Sequence, residues 1–289
     1  MTTPDPRLSI NQATVKHADL ATALRVTAEA GVQAIGTWRE PVQEVGLATA
    51  AQMLADSGLR LTTHCRGGFF TLPEGPARQA ALDDNRVAIE ETATLTAAGA
   101  DGSTAVLVLV AGGLPEGSRD LVGARERVRD AIGELAVDAA AAGVTLAIEP
   151  LHPMYASDRC VVSTLNQALD IAADFDPAVV GVTVDTFHLW WDPEVLASIA
   201  RAGAEGRIAT YQVCDWKTPL PADVLLGRHY PGDGVIDFGP MTRAVLATGY
   251  DHDIEVELFN EDIWATDPLE AVRRTAAGFA SAVSPHLTA

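Results

Sequence analysis

The chain has 289 residues, 48% hydrophobic and 20% charged, which is enough material to bury a core without disulfide or metal staples. Asp and Glu outnumber Lys and Arg by 39 to 20, a formal net charge of -19. That charge repels phosphate backbones and anionic bilayers, so neither nucleic acid nor a membrane is an expected partner.

Short apolar stretches alternate with alanine-rich amphipathic ones from end to end. A strand at Leu8–Ala13 leads to a helix over Asp19–Ala30 that Gly31 closes. Val32–Trp38 is the second strand, followed by a helix ending near Gly58, and Leu59–Cys65 the third. The pattern predicts a helix over Ala77–Ala98 ending at Gly99, a strand at Thr104–Ala111, a helix over Asp120–Ala142 ending at Gly143 and a fifth strand at Val144–Glu149. Thr164–Ala173 reads as helix and Val179–Asp185 as strand; Pro193–Ala202 is a helix ended by Gly203 and Ile208–Cys214 the seventh strand. Phe238–Thr248, ended by Gly249, precedes the eighth strand, Ile254–Phe259, and a last helix covers Pro268–Val283. Eight strand–helix units with no linker predict one domain over residues 1–289, a closed (β/α)8 TIM barrel. The alternative, an open doubly wound sheet, lacks the GxGxxG expected after its first strand.

Cys65, Cys160 and Cys214 are far apart and form no CxxC pair, so no disulfide framework or thiolate metal site is implied. Met1–Arg7 is polar with no apolar signal core, and no apolar run approaches the ~20 residues that span a bilayer. The expected location is cytoplasmic.

In such a barrel the chemistry sits at the carboxyl ends of the strands. Strand five ends in Glu149, strand six in Asp185, strand seven carries Gln212 and strand eight Glu257. Side chains alternate faces along a strand. If Ile148, Val184, Val213, Val256 and Leu258 face the helices, then Glu149, Asp185, Gln212 and Glu257 face the axis. Small residues one layer below, Ala147, Thr183 and Thr210, leave room above them. Three carboxylates cannot converge uncompensated, and one divalent cation removes their repulsion. An all-oxygen set favours Mn²⁺ or Mg²⁺ over Zn²⁺, with His152 and His188 close enough in sequence to modify that preference. Glu255 shares the parity of Glu257 but lies deeper, where a salt bridge inside the barrel is the simpler expectation.

At these residues the chain resembles the sugar phosphate isomerase/epimerase superfamily, the xylose-isomerase-like barrels. The segments that carry the resemblance are Ala147–Pro153, Val184–Pro193, Tyr211–Trp216, Gly232–Asp237 and Glu255–Phe259, with His64–Gly68 after strand three. The superfamily includes inosose isomerases and dehydratases, hydroxypyruvate isomerase, ketose 3-epimerases and endonuclease IV. The resemblance implies metal ligands Glu, Asp, His and Glu from strands five to eight. Glu149, Asp185 and Glu257 match them, whereas Gln212 stands where the family has His. It also implies that Glu149 and Glu257 shuttle the proton, and that His188 and Arg228 touch substrate. His64 joins the expected substrate-binding set, as does His152, which either bonds substrate or orients Glu149. Trp38, Trp190 and Trp191 offer an apolar wall for a sugar ring. Family pattern and aromatic loops suggest a homodimer.

The expected activity is a metal-dependent isomerase or epimerase acting on a sugar, sugar phosphate or keto-polyol through an enediolate. Loss of a β-leaving group from the same intermediate would make the enzyme a lyase or dehydratase acting on an inosose or 3-oxo-glycoside. A third reading, an inactive sugar-binding barrel, draws on Gln212.

Overall fold

The helices of this chain start where a short polar side chain caps them. In the computed structural model, which describes residues 3–287, Asp19, Asp120, Thr164 and Asp267 each accept from the backbone N–H three residues on. They open the helices Leu20–Glu29, Leu121–Ala142, Leu165–Ala172 and Pro268–Ala282. This satisfies one of the donors that a helix start leaves unpaired. Gly58 and Gly143 end their helices with φ of 68° and 67°, a conformation that costs glycine no Cβ clash.

Between the helices run eight parallel strands: Leu8–Asn11, Ala34–Trp38, Arg60–Gly68, Val106–Val110, Thr145–Glu149, Val180–Asp185, Ile208–Val213 and Ile254–Val256. The first pairs with both the second and the eighth, so the sheet closes into the expected barrel. A separate two-stranded ribbon pairs Asp215–Trp216 with Arg228–His229. One apolar core fills the space between barrel and helices. Ile148, Val184, Val213, Val256 and Leu258 are all buried, as their parity requires. Each such side chain contributes about 1.5–3 kcal/mol when removed from water. No described helix is long and apolar enough to cross a membrane.

Several boundaries differ from expectation for local reasons. The first strand stops at Asn11, whose side chain accepts from Ala13 N and starts a short 3₁₀ turn. The third strand runs on to Gly68. The eighth ends at Val256, so Glu257 lies one residue beyond it. Gly203 does not close its helix, which spans Val195–Ala204; a side chain at Gly203 would collide with Thr248, so the glycine lets this helix pack closely against the residue after the next helix.

Candidate metal and sugar site

The strands set two of the expected ligands side by side. Asp185 and Gln212 are partners across strands six and seven, and Gln212 and Glu255 across seven and eight. A cavity of about 240 Å³ opens at the carboxyl ends of the strands, lined by Glu149, Gln212, Glu257, His188 and Arg228, with Trp38 and Phe259 as aromatic walls. Donor atoms of Glu149, Asp185 and His188 lie within 4.8 Å of one another. Glu149 Oε1 and Gln212 Oε1 are buried with no hydrogen-bond partner. Two orphaned acceptors beside a cluster of acids are what a cation satisfies, so the residues present fit a divalent metal.

Arg228 reaches this cavity because its backbone is pinned. The ribbon pairs it with Trp216, and Asn260 Nδ2 donates to its carbonyl at 2.9 Å. Asp215 accepts from the N–H groups of Gly232, Gly234 and Ile236, each at 2.9 Å, which folds the Gly232–Asp237 segment. Arg228 Nη1 then donates to Glu257 Oε2 at 2.7 Å and to Asp185 Oδ2 at 3.3 Å. Its guanidinium lies over Phe187 at 4.8 Å and Phe259 at 5.2 Å. His188 Nδ1 accepts from the His152 N–H at 3.1 Å, and its Nε2 faces Arg228 Nη2 at 3.0 Å.

Burial dominates the electrostatics. It pushes Glu149 well above the usual carboxylate range, and the charges of Glu257 and Asp185 push it further. Asp185 is raised by burial although Arg228 pulls it back. Glu257 rises to about 7 through burial, against the pull of Arg228. Burial and then Arg228 hold His188 well below the ordinary imidazole value, hence neutral. Arg228 itself loses to burial but gains more from Glu257 and its other anionic neighbours, so it stays charged.

The other expected residues separate. Trp38 lines the cavity, its Nε1 donating to Asn11 Oδ1 at 2.7 Å. His64 does not reach it: its ring turns to the helix layer, with Nδ1 2.8 Å from Thr37 Oγ1 and Nε2 3.4 Å from Glu91. His152 packs on Trp191 and Trp216 and contributes its backbone N–H, not its ring, to the site. Trp191 donates to the His188 carbonyl, and Trp190 is exposed beside Trp216, so neither walls the cavity. Glu255 has no salt bridge among the described residues. It accepts instead from Asn11, Thr62, Thr63 and Gln212, all neutral donors. Cavity residues that the sequence reading passed over are Arg66, Phe69, Asp158, Arg159, Leu225 and Phe259. Of these, Arg66 and Phe259 lie in the segments His64–Gly68 and Glu255–Phe259 that carry the family resemblance, and the paired glycines after Arg66 are its local signal.

Known proteins bear on this geometry. An inosose isomerase of Bacillus subtilis is 29% identical over 147 residues, 50% of each chain. A 3-dehydroshikimate dehydratase of Pseudomonas aeruginosa is 33% identical over 150 residues, 49% of this chain and 22% of that one. The match thus spans half or less of the length of these relatives. Protein SMc04130 of Sinorhizobium meliloti has the same fold at 44% identity and TM-score 0.89, over 96% of this chain and 98% of that one. The IOLI protein, solved with a bound zinc atom, superposes with TM-score 0.82 at 22% identity, over 98% of this chain and 100% of that one. A family profile described as xylose isomerase-like TIM barrel matches residues 24–282. The chain belongs to the xylose isomerase-like TIM barrel family.

Proposed function

We propose that this protein is a divalent-metal-dependent isomerase or epimerase of a sugar or keto-polyol, working through an enediolate with Glu149 and Glu257 as the proton-transfer pair. The observation that carries the reading is the placement of these two buried carboxylates, from strand five and the end of strand eight, on one small cavity. Glu149, Asp185, Gln212 and Glu257 would hold the cation, with the His188 nitrogen within reach. Bound there, it would supply positive charge to substrate oxygens as negative charge develops on them.

The chain's own residues do the rest. Arg228 engages Glu257 Oε2, which leaves Oε1 as the oxygen that faces substrate. A carboxylate in that position takes the weakly acidic proton beside the substrate carbonyl; the C–H electron pair becomes the C=C bond and the carbonyl π pair moves onto its oxygen, giving the enediolate. The second glutamate, Glu149, returns a proton. Return to the opposite face of the same carbon epimerises; return to the neighbouring carbon isomerises. Trp38 and Phe259, packed edge to face with centroids 5.6 Å apart, cover an apolar sugar face and limit water.

A lyase reading has one observation in its favour, the dehydratase among the relatives. The test is product identification by NMR after incubating Mn²⁺-loaded protein with a panel of ketoses, inososes and 3-oxo-glycosides. An epimer or positional isomer supports the proposal. An unsaturated product transfers the site to the lyase reading, and no turnover of any member overturns both.

A further inference from the structure

The cavity has a second polar end that the proton chemistry does not use. Its cation, Arg66, arises from an irregularity in strand three: the pairing with strand four shifts register between Cys65 and Gly67. Asn85 then grips the next turn of backbone, accepting from Gly68 N at 2.7 Å and donating to Gly68 O at 2.9 Å. Phe69 is held with φ of 65°, a left-handed conformation uncommon for a bulky residue, and is 45% exposed. The result is that the Arg66 guanidinium lies 4.9 Å from the ring centre of Phe69 and 5.5 Å from that of Trp38, on the cavity wall.

Arg66 lines the cavity with no acid in contact, although its charge reaches Glu149 and Glu257 across it. The chain has 39 Asp and Glu for 20 Lys and Arg. The fully buried arginines follow that surplus: Arg39 pairs with Asp84 and Glu91, Arg78 with Glu134, Arg207 with Glu205 and Arg228 with Glu257, whereas the half-buried Arg66 has no such pair. Among the described residues no carboxylate lies within 4.0 Å of Arg66, and its Nε is buried without a partner. Asp158 and Arg159 line the same cavity; their nearest approach, 3.8 Å, is to each other. Arg66 and Arg159 also line an adjoining outer chamber of about 690 Å³ that holds Lys16, whose ammonium sits over Phe259 and Trp264. A guanidinium laid on aromatic rings, lining a cavity and with no carboxylate in contact, matches the geometry of an oxyanion.

We propose that Arg66, with Arg159 beside it at the mouth, is a subsite for an oxyanion carried by the substrate, a carboxylate or a phosphate monoester, outside the carbons that react. This rests on the reading of the cavity as a sugar-like substrate site. It narrows the substrate class to sugars or polyols that carry an acid group away from the reacting carbons.

Matched pairs test it by isothermal titration calorimetry on the full-length, Mn²⁺-loaded protein: D-glucuronate against D-glucose, and D-fructose 6-phosphate against D-fructose. At least one anionic member is expected to bind about 10- to 100-fold more tightly than its neutral partner, the scale of hydrogen bonds to a charged group. The pair that shows the gain tells carboxylate from phosphate. R66Q should remove the difference within that pair, and R66K should keep part of it, since a point charge replaces the fork. Circular dichroism of both variants confirms folding. No gain for either anion, including no binding at all, overturns the subsite, as does a gain that survives R66Q. The two readings fail separately. Turnover of neutral ketoses without an anion preference removes the subsite and leaves the enzyme. An Arg66-dependent anion preference without turnover of any compound removes the reaction and leaves the subsite.

Discussion

Gln212 Nε2 donates to Glu255 Oε1 at 2.8 Å, so the amide of the one departure from the family's ligand pattern is held by a carboxylate one strand away. The hydrogen bond turns the amide nitrogen downward, and Gln212 Oε1 is left buried and unpartnered on the cavity side. Glu255 is itself locked by Asn11 and Thr63, and Asn11 also holds the Trp38 ring. A ligand oriented by its neighbours binds metal more tightly than a free one. Glu255→Gln, which permits the Gln212 amide to flip, should therefore weaken Mn²⁺ binding by about 10- to 100-fold. Calorimetric titration of the metal-free protein checks this, and an unchanged affinity would show that the contact does not orient Gln212.

The donor set also predicts metal identity. Glu149, Asp185, Gln212 and Glu257 offer oxygen, and His188 adds at most one nitrogen close to Glu149 and Asp185. Oxygen-rich sites favour Mn²⁺ or Mg²⁺. Elemental analysis of gently purified protein should find about one such ion per chain. Stoichiometric Zn²⁺ that resists exchange would instead give His188 a place as ligand, in line with the zinc held by the IOLI protein.

Metal-free protein should show a characteristic pH dependence. Burial lifts the folded pKa of Glu257 from an ordinary 4.5 to about 7. The folded state then holds a proton that the unfolded chain has released, so stability falls as pH rises from about 4.5 to 7, and the full cost is present above 7. Buried neutral histidines such as His188 and His64 act in the opposite sense over the same range, so the difference carries the test: in EDTA, Glu257→Gln should gain melting temperature relative to the wild type as pH rises from about 5 to 7. Adding Mn²⁺ at pH 7.5 should raise the melting temperature, by the equivalent of about 2.7 kcal/mol at a hundred times its Kd. A difference between Glu257→Gln and the wild type that stays constant between about pH 5 and 7 would contradict the assignment.

His64 belongs to a structural cluster rather than to the site. Arg39 Nε donates to Glu91 Oε2 at 2.6 Å. Burial opposes the Glu91 charge, yet bonds from His64, Gln43 and Arg39 hold its pKa at about 2. Breaking a buried pair leaves an uncompensated charge and costs about 3–5 kcal/mol. Glu91→Ala should sit at the low end, because Arg39 keeps Asp84. Chemical denaturation measures the loss. A loss below about 1 kcal/mol would mean that the cluster is not a fixed part of the fold.

These results show which parts of the site a sequence displays. Period-two alternation placed Glu149, Asp185, Gln212 and Glu257 on the inner face because apolar partners such as Ile148 and Val184 demand the outer one. The same rule on strand three would have turned His64 outward, since Cys65 lines the cavity and its neighbour must face the helices. Arg66 and Phe69 were not legible in this way. Their direction depends on the register shift after Cys65 and on the grip of Asn85, a residue seventeen positions beyond Gly68. The partners of Arg228 were equally hidden. Asp223 and Asp233 are the acids nearest to it in sequence, but Asp223 caps its own short helix and Asp233 contacts His229, while Arg228 turns inward to Asp185 and Glu257.

The central claim is that Glu149 and Glu257 move a carbon-bound proton, and hydrogen exchange measures that step before any product is named. A ketose, inosose or 3-oxo-glycoside bound to the Mn²⁺-loaded protein in D₂O should lose NMR intensity at the carbon beside its carbonyl, even where net conversion is slow. Glu257→Gln should retain bound metal yet exchange about 10²- to 10⁴-fold more slowly, because an amide cannot accept the proton. Exchange by Glu257→Gln at the wild-type rate, or no exchange by the wild type with any compound in the panel, would contradict the account.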